Sequence, residues 1–168
     1  MKSRRKRLFL LALAFLLLGA HPDRCAQVGT VYGLTADSTA VIEGCFPPLA
    51  CLSVLSDIRG TFRLVPLRVG VLFEEFAVVD VYWLVRVNGE DLRVTGFGEY
   101  QIGGEFVTEH RLQLTLQLGD GEVQFFDSGF VDTVPVVFPD IEVTISVNGE
   151  TFLDTVIDLR AVPFTIAN

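Results

Sequence analysis

His110, Asp127 and Ser128 are the residues whose types could together perform hydrolysis. His110 is the only histidine in the segment that we expect to fold, because His21 lies ahead of it. A histidine activates a serine hydroxyl as a general base when a carboxylate orients its ring. The predicted strand register places His110 on the buried face of a sheet, with Asp127 close by on the neighbouring strand. Two interpretations follow: a secreted hydrolase that uses these residues, or a structural His–carboxylate pair in the core.

The familiar catalytic and ligand-binding motifs are otherwise absent from the sequence. Ser128 precedes a glycine, but the first glycine of a nucleophile elbow is missing. The chain contains no glycine-rich phosphate loop, no His-Glu-x-x-His zinc motif and no EF-hand calcium loop. We therefore predict no metal site and no cofactor, and a non-catalytic domain is favoured over an enzyme.

Tyr82, Phe97 and Phe126 form a second set of residues, suited to binding. The predicted register directs all three aromatic side chains to the outer face of one sheet. Exposed aromatic rings on a sheet can stack on sugar rings. A second layer of structure covering that face would require the same residues, and the sequence is compatible with both arrangements.

Cys45 and Cys51 are predicted to form a disulfide. Exported proteins meet oxidising conditions, in which two nearby cysteines usually form a bridge. Two thiolates supply only half of a tetrahedral zinc shell, so a zinc site has less support. The third cysteine, Cys25, is removed if a leader is cleaved after Ala26.

The sheet that would position the aromatic residues is predicted from residues 76–118. Asn88-Gly89 lies between two alternating apolar runs and predicts a two-residue hairpin loop. The resulting register predicts an outer-face ion pair of Arg86 with Asp91. It also predicts three pairs on the buried face: Trp83 with Val94, Val81 with Gly96, and Val79 with Gly98.

Two further turns extend this hairpin into a meander. A three-residue turn is predicted at residues 103–105 and a two-residue turn at residues 120–121. These turns predict the pairs Ile102 with Phe106, Gly98 with His110, and Leu116 with Phe125.

Gly96 and Gly98 lie on the predicted buried face, where glycine weakens a strand. One explanation is that the Trp83 indole occupies the space they leave, or that the sheet bends there. The other explanation is a ligand that lies over the backbone.

The whole pattern predicts an all-β fold of about eight or nine strands. We expect an antiparallel β-sandwich built on the meander, with a small β-barrel as the alternative. A barrel could bind an apolar small molecule, in a site lined by Val79, Val81, Trp83, Leu112 and Leu114.

Residues 1–20 resemble a signal peptide, with five cationic residues followed by an apolar run of eleven residues, 8–18. That run is short for a membrane span of about 20 residues. Cleavage after Ala20, or as late as Ala26, would leave one all-β domain in residues 27–168. We expect no membrane span after the leader is removed.

The charge of the expected mature chain restricts its partners. The full chain has a formal charge of −8, and loss of the five leader cations lowers it to −13. Such a surface repels nucleic acid and anionic lipid. The sequence therefore favours a secreted, periplasmic or cell-envelope β-domain with a binding or structural role. The partner is unknown, with a glycan or a protein as the options.

Overall fold

Ten β-strands make up the described part of the chain, which comprises residues 28–44, 52–87, 89–147 and 155–164 of a computed structural model. The strands are β1 (Thr30–Leu34), β2 (Thr39–Gly44), β3 (Leu52–Val69), β4 (Phe73–Val87), β5 (Glu90–Gly103), β6 (Glu109–Leu118), β7 (Val123–Asp127), β8 (Val131–Asp132), β9 (Ile141–Val147) and β10 (Val156–Pro163). The predicted leader, Cys25, and the predicted bridge of Cys45 with Cys51 lie outside the described residues.

Eight of the strands form a closed antiparallel ring. The order is β2, β3, β4, β5, β6, β7, β9 and β10, and β10 pairs in turn with β2. β1 continues the position of β2, because it pairs with β3 and β10 beyond the end of β2. The short β8 pairs with β6. The prediction of an antiparallel all-β fold built on a meander is confirmed. Of the two predicted arrangements, a sandwich or a small barrel, the closed ring corresponds to the barrel.

The register of the β4–β5 hairpin is confirmed over most of its length. Trp83 pairs with Val94, and Arg86 pairs with Asp91. The predicted pair of Val79 with Gly98 is wrong, because the register shifts and Val78 takes that place. Asp80 has a φ of 54° at this shift. A bulge that inserts extra residues into one strand accounts for the change of partner.

The loop between β5 and β6 is longer than the predicted three-residue turn. Ile102 pairs with His110 and not with Phe106, and Gly98 pairs with Leu114 and not with His110. Two hydrogen bonds to other loops hold this connection open. Gly104 N donates to the Leu72 carbonyl at 2.9 Å, and Thr133 N donates to the Thr108 carbonyl at 3.0 Å. The observed register of β6 against β5 differs from the predicted one by an even number of residues. Because side chains alternate between faces with a period of two, His110 still points inward as predicted.

Aromatic side chains fill the interior of the ring. The Tyr32 and Phe62 rings stack with centroids 5.3 Å apart, and Phe62 meets Trp83 edge-on at 6.3 Å. Nearer the other end, Tyr100 stacks on Phe138 at 6.1 Å. Burial raises the pKa of Tyr32 to about 12. These aromatic contacts stabilise the ring of strands from its interior.

Close approach of β6 explains the two glycines on the inner face of β5. A Cβ atom at Gly98 would lie 1.9 Å from the Gln113 carbonyl oxygen. At Gly96 it would lie 2.2 Å from the Thr115 carbonyl oxygen. The nearest atoms in both cases belong to β6, and neither the Trp83 indole nor a ligand is needed to explain the glycines.

Candidate functional site

His110 lies inside the ring, as the sequence predicts. It is 2% exposed, and its Nδ1 lies 3.1 Å from the Tyr100 hydroxyl, within hydrogen-bonding distance. Its Nε2 has no hydrogen-bond partner among the described residues. Burial lowers the pKa of His110, because the charged form loses its hydration. The His110 imidazole is therefore neutral near pH 7 and packs inside the core.

Asp127 lies on the outside of β7, within a network of donors. Its carboxylate accepts hydrogen bonds from Arg111, from Gln113 Nε2 at 3.0 Å and from Gly129 N at 2.9 Å. The Arg111 guanidinium contributes most to holding the pKa of Asp127 below its ordinary value. Asp127 is an ionised group that anchors the end of β7 to β6.

The Ser128 hydroxyl is also occupied by local hydrogen bonds. It accepts from Leu112 N at 2.9 Å and donates to the Gly129 carbonyl at 2.6 Å. A nucleophilic serine needs its hydroxyl proton directed at a base. This hydroxyl instead continues the backbone pairing of β6 past the end of β7.

The three residues considered for hydrolysis are not brought together. Asp127 pairs with Gln113, three positions along β6 from His110. His110 points into the ring, whereas Asp127 and Ser128 line an outer groove. The predicted closeness of Asp127 to His110 is wrong, because the sheet lies between them. This arrangement offers no base for Ser128.

Stability below neutral pH tests the buried state of His110. Because its pKa is lowered, the unfolded chain takes up a proton near the ordinary histidine value of 6.5 before the folded protein does. Stability is full above that pH and falls below it, by up to about 1.4 kcal/mol per pH unit. We expect His110→Gln, which retains an acceptor for the Tyr100 hydroxyl, to flatten this dependence below about pH 6.5. Urea unfolding at several pH values measures it, and identical slopes would contradict a neutral His110.

Two of the three predicted aromatic residues lie on the outer face, and the third does not. Tyr82 is 48% and Phe97 62% exposed. Phe126 is 0% exposed and pairs with Leu114, so its predicted outward direction is wrong. Its neighbour Phe125 points outward in its place and is 42% exposed. We call Tyr82, Phe97 and Phe125 the aromatic face.

One error in the predicted register of β7 explains why the predicted directions of both Phe126 and Asp127 are wrong. The predicted pair of Leu116 with Phe125 is wrong, because Leu116 pairs with Gln124. A slip of one residue moves every side chain of a strand to the opposite face. It therefore turns Phe126 inward and Asp127 outward. The turn after β6 is longer than two residues, with Gly119 at a φ of 58° and Gly121 N donating to the Leu118 carbonyl at 3.0 Å.

The aromatic face is a shallow surface across four neighbouring strands. Phe97 pairs with Thr115, which pairs with Phe125, so the two phenylalanines are two strand spacings apart, about 9.5 Å. Between them runs a groove of about 320 Å³, whose lining includes Glu99 and Gln113.

Tyr82 completes the aromatic face on β4. It pairs with Thr95, two residues from Phe97 on the same strand. The guanidinium of Arg93 lies over the Tyr82 ring, 5.9 Å from its centroid. Apolar rings therefore alternate with hydroxyl, amide and charged groups, all within a few strand spacings.

A larger outer groove of about 610 Å³ crosses β9 and β10. Its charged groups satisfy one another. Arg160 forms ion pairs with Glu142 at 2.8 Å and Asp37 at 3.8 Å, and the Thr144 hydroxyl donates to Asp158 at 2.6 Å. Because these ion pairs and this hydrogen bond occupy the charged groups, we interpret the groove as a solvated polar surface.

The interior gives no support to a site for an apolar molecule. Val81, Trp83, Leu112 and Leu114 are each at most 4% exposed. A cavity wide enough for a ligand would leave part of their surface accessible. Val79 is half-buried, at the bulge in β4.

Comparisons with protein-family models, curated proteins and solved structures find no match. In the described ranges, no helix is long and apolar enough to cross a bilayer. Within the same residues, no three His, Cys, Asp or Glu side chains are grouped to hold a metal ion.

Proposed function

We propose that this chain is an exported, non-catalytic binding module that holds sugar rings on its aromatic face. The observation that carries the proposal is the outward exposure of Tyr82, Phe97 and Phe125 on one continuous sheet surface. Exposing aromatic rings to water opposes the hydrophobic effect, so a cluster of them is typical of an interaction site.

The surroundings of the rings favour a sugar over a purely apolar ligand. The C–H face of a sugar ring packs on an aromatic face, and its hydroxyl groups need hydrogen-bond partners at the edges. Gln113 and Thr115 supply such groups between Phe97 and Phe125. The shallow, open shape suits a chain that lies across the strands, with separate sugar units on the two rings.

Action outside the cytoplasm is part of the same proposal. It is supported by the cationic and apolar leader in residues 1–20. An oxidising compartment would also allow the bridge between Cys45 and Cys51, which would pin the loop that they enclose. N-terminal sequencing and cysteine alkylation of protein from its native host test both points, and an intact Met1 with two free thiols would contradict them.

A glycan array tests the ligand class. The wild-type protein is expected to bind at least one group of related glycans. Phe97→Ala and Phe125→Ala are each expected to weaken binding about fivefold, because an aromatic contact is worth about 1 kcal/mol. Phe164→Ala is the matched control, since Phe164 is 58% exposed away from the aromatic face. Binding that is equally strong in both test variants would overturn the proposal.

A further inference from the structure

Three loops at one end of the ring present apolar side chains to solvent. Val71 and Leu72 lie in the β3–β4 turn, Phe106 and Val107 in the β5–β6 loop, and Val134 and Val137 in the β8–β9 connection. We call these six residues the apolar end. Phe106 is 91% exposed and each of the others is more than half exposed. The described turn at the opposite end, residues 119–122, contains only glycine and acidic residues.

The loops of the apolar end are tied to one another. The bond from Gly104 N to the Leu72 carbonyl joins the first two loops. Thr133 joins the second and third, because its N and its hydroxyl both donate to the Thr108 carbonyl, at 3.0 and 3.1 Å. The six side chains therefore form one positioned patch, of the kind that marks an interaction surface.

The charges beside this patch are acidic. Glu109 on β6 pairs directly with Asp132 on β8, which places two carboxylates side by side on one face. Like charges directly opposite each other destabilise a sheet. Arg111, two residues along β6 on the same face, is bound to Asp127, to which its Nε donates at 2.9 Å.

We propose that the apolar end docks a segment of a partner protein that carries apolar side chains next to lysine or arginine. The apolar side chains would cover Phe106 and its neighbours, while the cation would bridge Glu109 and Asp132 and remove their repulsion. An anionic lipid surface would add to that repulsion. A second copy docked through the same end would bring four carboxylates together.

A labelled synthetic peptide that alternates leucine and lysine provides the test. Fluorescence anisotropy is expected to show binding to the wild-type protein and no binding of the matching leucine–glutamate peptide. Phe106→Ser is expected to weaken binding about thirtyfold, as at an interface hot spot. The double variant Glu109→Gln, Asp132→Asn is expected to weaken binding and to flatten its dependence on salt.

Leu55→Ser is the matched control, because Leu55 is 69% exposed on β3 and outside the apolar end. It should bind the peptide as the wild type does. Failure of the leucine–lysine peptide to bind, or equal binding by Phe106→Ser, would overturn the proposal. So would a dimer that Phe106→Ser dissociates, or retention on phosphatidylcholine vesicles that this variant abolishes. Glycan binding is expected to be unchanged in Phe106→Ser, so this result is separable from that for the aromatic face.

Discussion

Replacing Trp83 by alanine is expected to destabilise the domain by about 3–5 kcal/mol, the range for deletion of a large buried aromatic side chain. Trp83 is 0% exposed and lies in the core between β3 and β5, in edge contact with Phe62. Gly60, which pairs with Trp83 on β3, has no side chain that could fill the space left by the indole. Urea unfolding followed by circular dichroism measures the loss.

Two further variants identify the cause of that loss. Trp83→Phe is expected to cost less than the lost volume implies, because it also removes the indole N–H, which has no partner among the described residues. Tyr82→Ala, at the adjacent exposed position, is expected to change stability by less than about 1 kcal/mol. Equal losses at positions 82 and 83 would show that Trp83 is not in a packed interior.

Replacing Gly98 by alanine is expected to cost about 3 kcal/mol or more, because a single methyl group cannot be accommodated there. The new carbon would lie 1.9 Å from the Gln113 carbonyl oxygen and 2.8 Å from the Leu114 Cδ2. The nearest atom belongs to the backbone of β6, so relief requires the two strands to separate. Thermal unfolding with a parallel measurement of amide exchange in β5 and β6 tests this.

Gly129→Ala separates this steric cost from the conformational cost of losing a glycine. Gly129 has a φ of 65°, but a Cβ there would meet nothing within 4 Å. We expect a loss of about 1 kcal/mol at that position, from backbone strain alone. If Gly98→Ala instead stabilises the protein, as glycine replacement does in an unstrained site, β5 and β6 are not in the close contact described.

Local signals in the sequence are sufficient to predict the register of the β4–β5 hairpin and the all-β fold class. A two-residue Asn-Gly loop and strict alternation determine a register without help from the rest of the chain. The pairs of Trp83 with Val94 and Arg86 with Asp91 were predicted for this reason. The bulge at Val79 and Asp80 carries no such signal, because it depends on how β4 bends between its neighbours.

The later turns could not be predicted, because tertiary contacts determine their lengths. The β5–β6 loop is held open by Leu72 and Thr133, which are distant in sequence. After β6, one additional residue in the turn reversed the faces of β7. This difference in register has its largest effect at the candidate site. Phe125, and not the predicted Phe126, lies on the outer face, and Asp127 lies on the opposite side of the sheet from His110.

Glycan binding on the aromatic face is tested most directly by NMR with the glycan that the array ranks first. Titration into ¹⁵N-labelled protein is expected to shift the amide signals of Tyr82, Phe97, Thr115 and Phe125. Those of Thr144 and Asp158, in the groove of β9 and β10, are expected to stay unchanged. The absence of any glycan ligand on the array, or shifts centred on Thr144 and Asp158, would contradict glycan binding on the aromatic face.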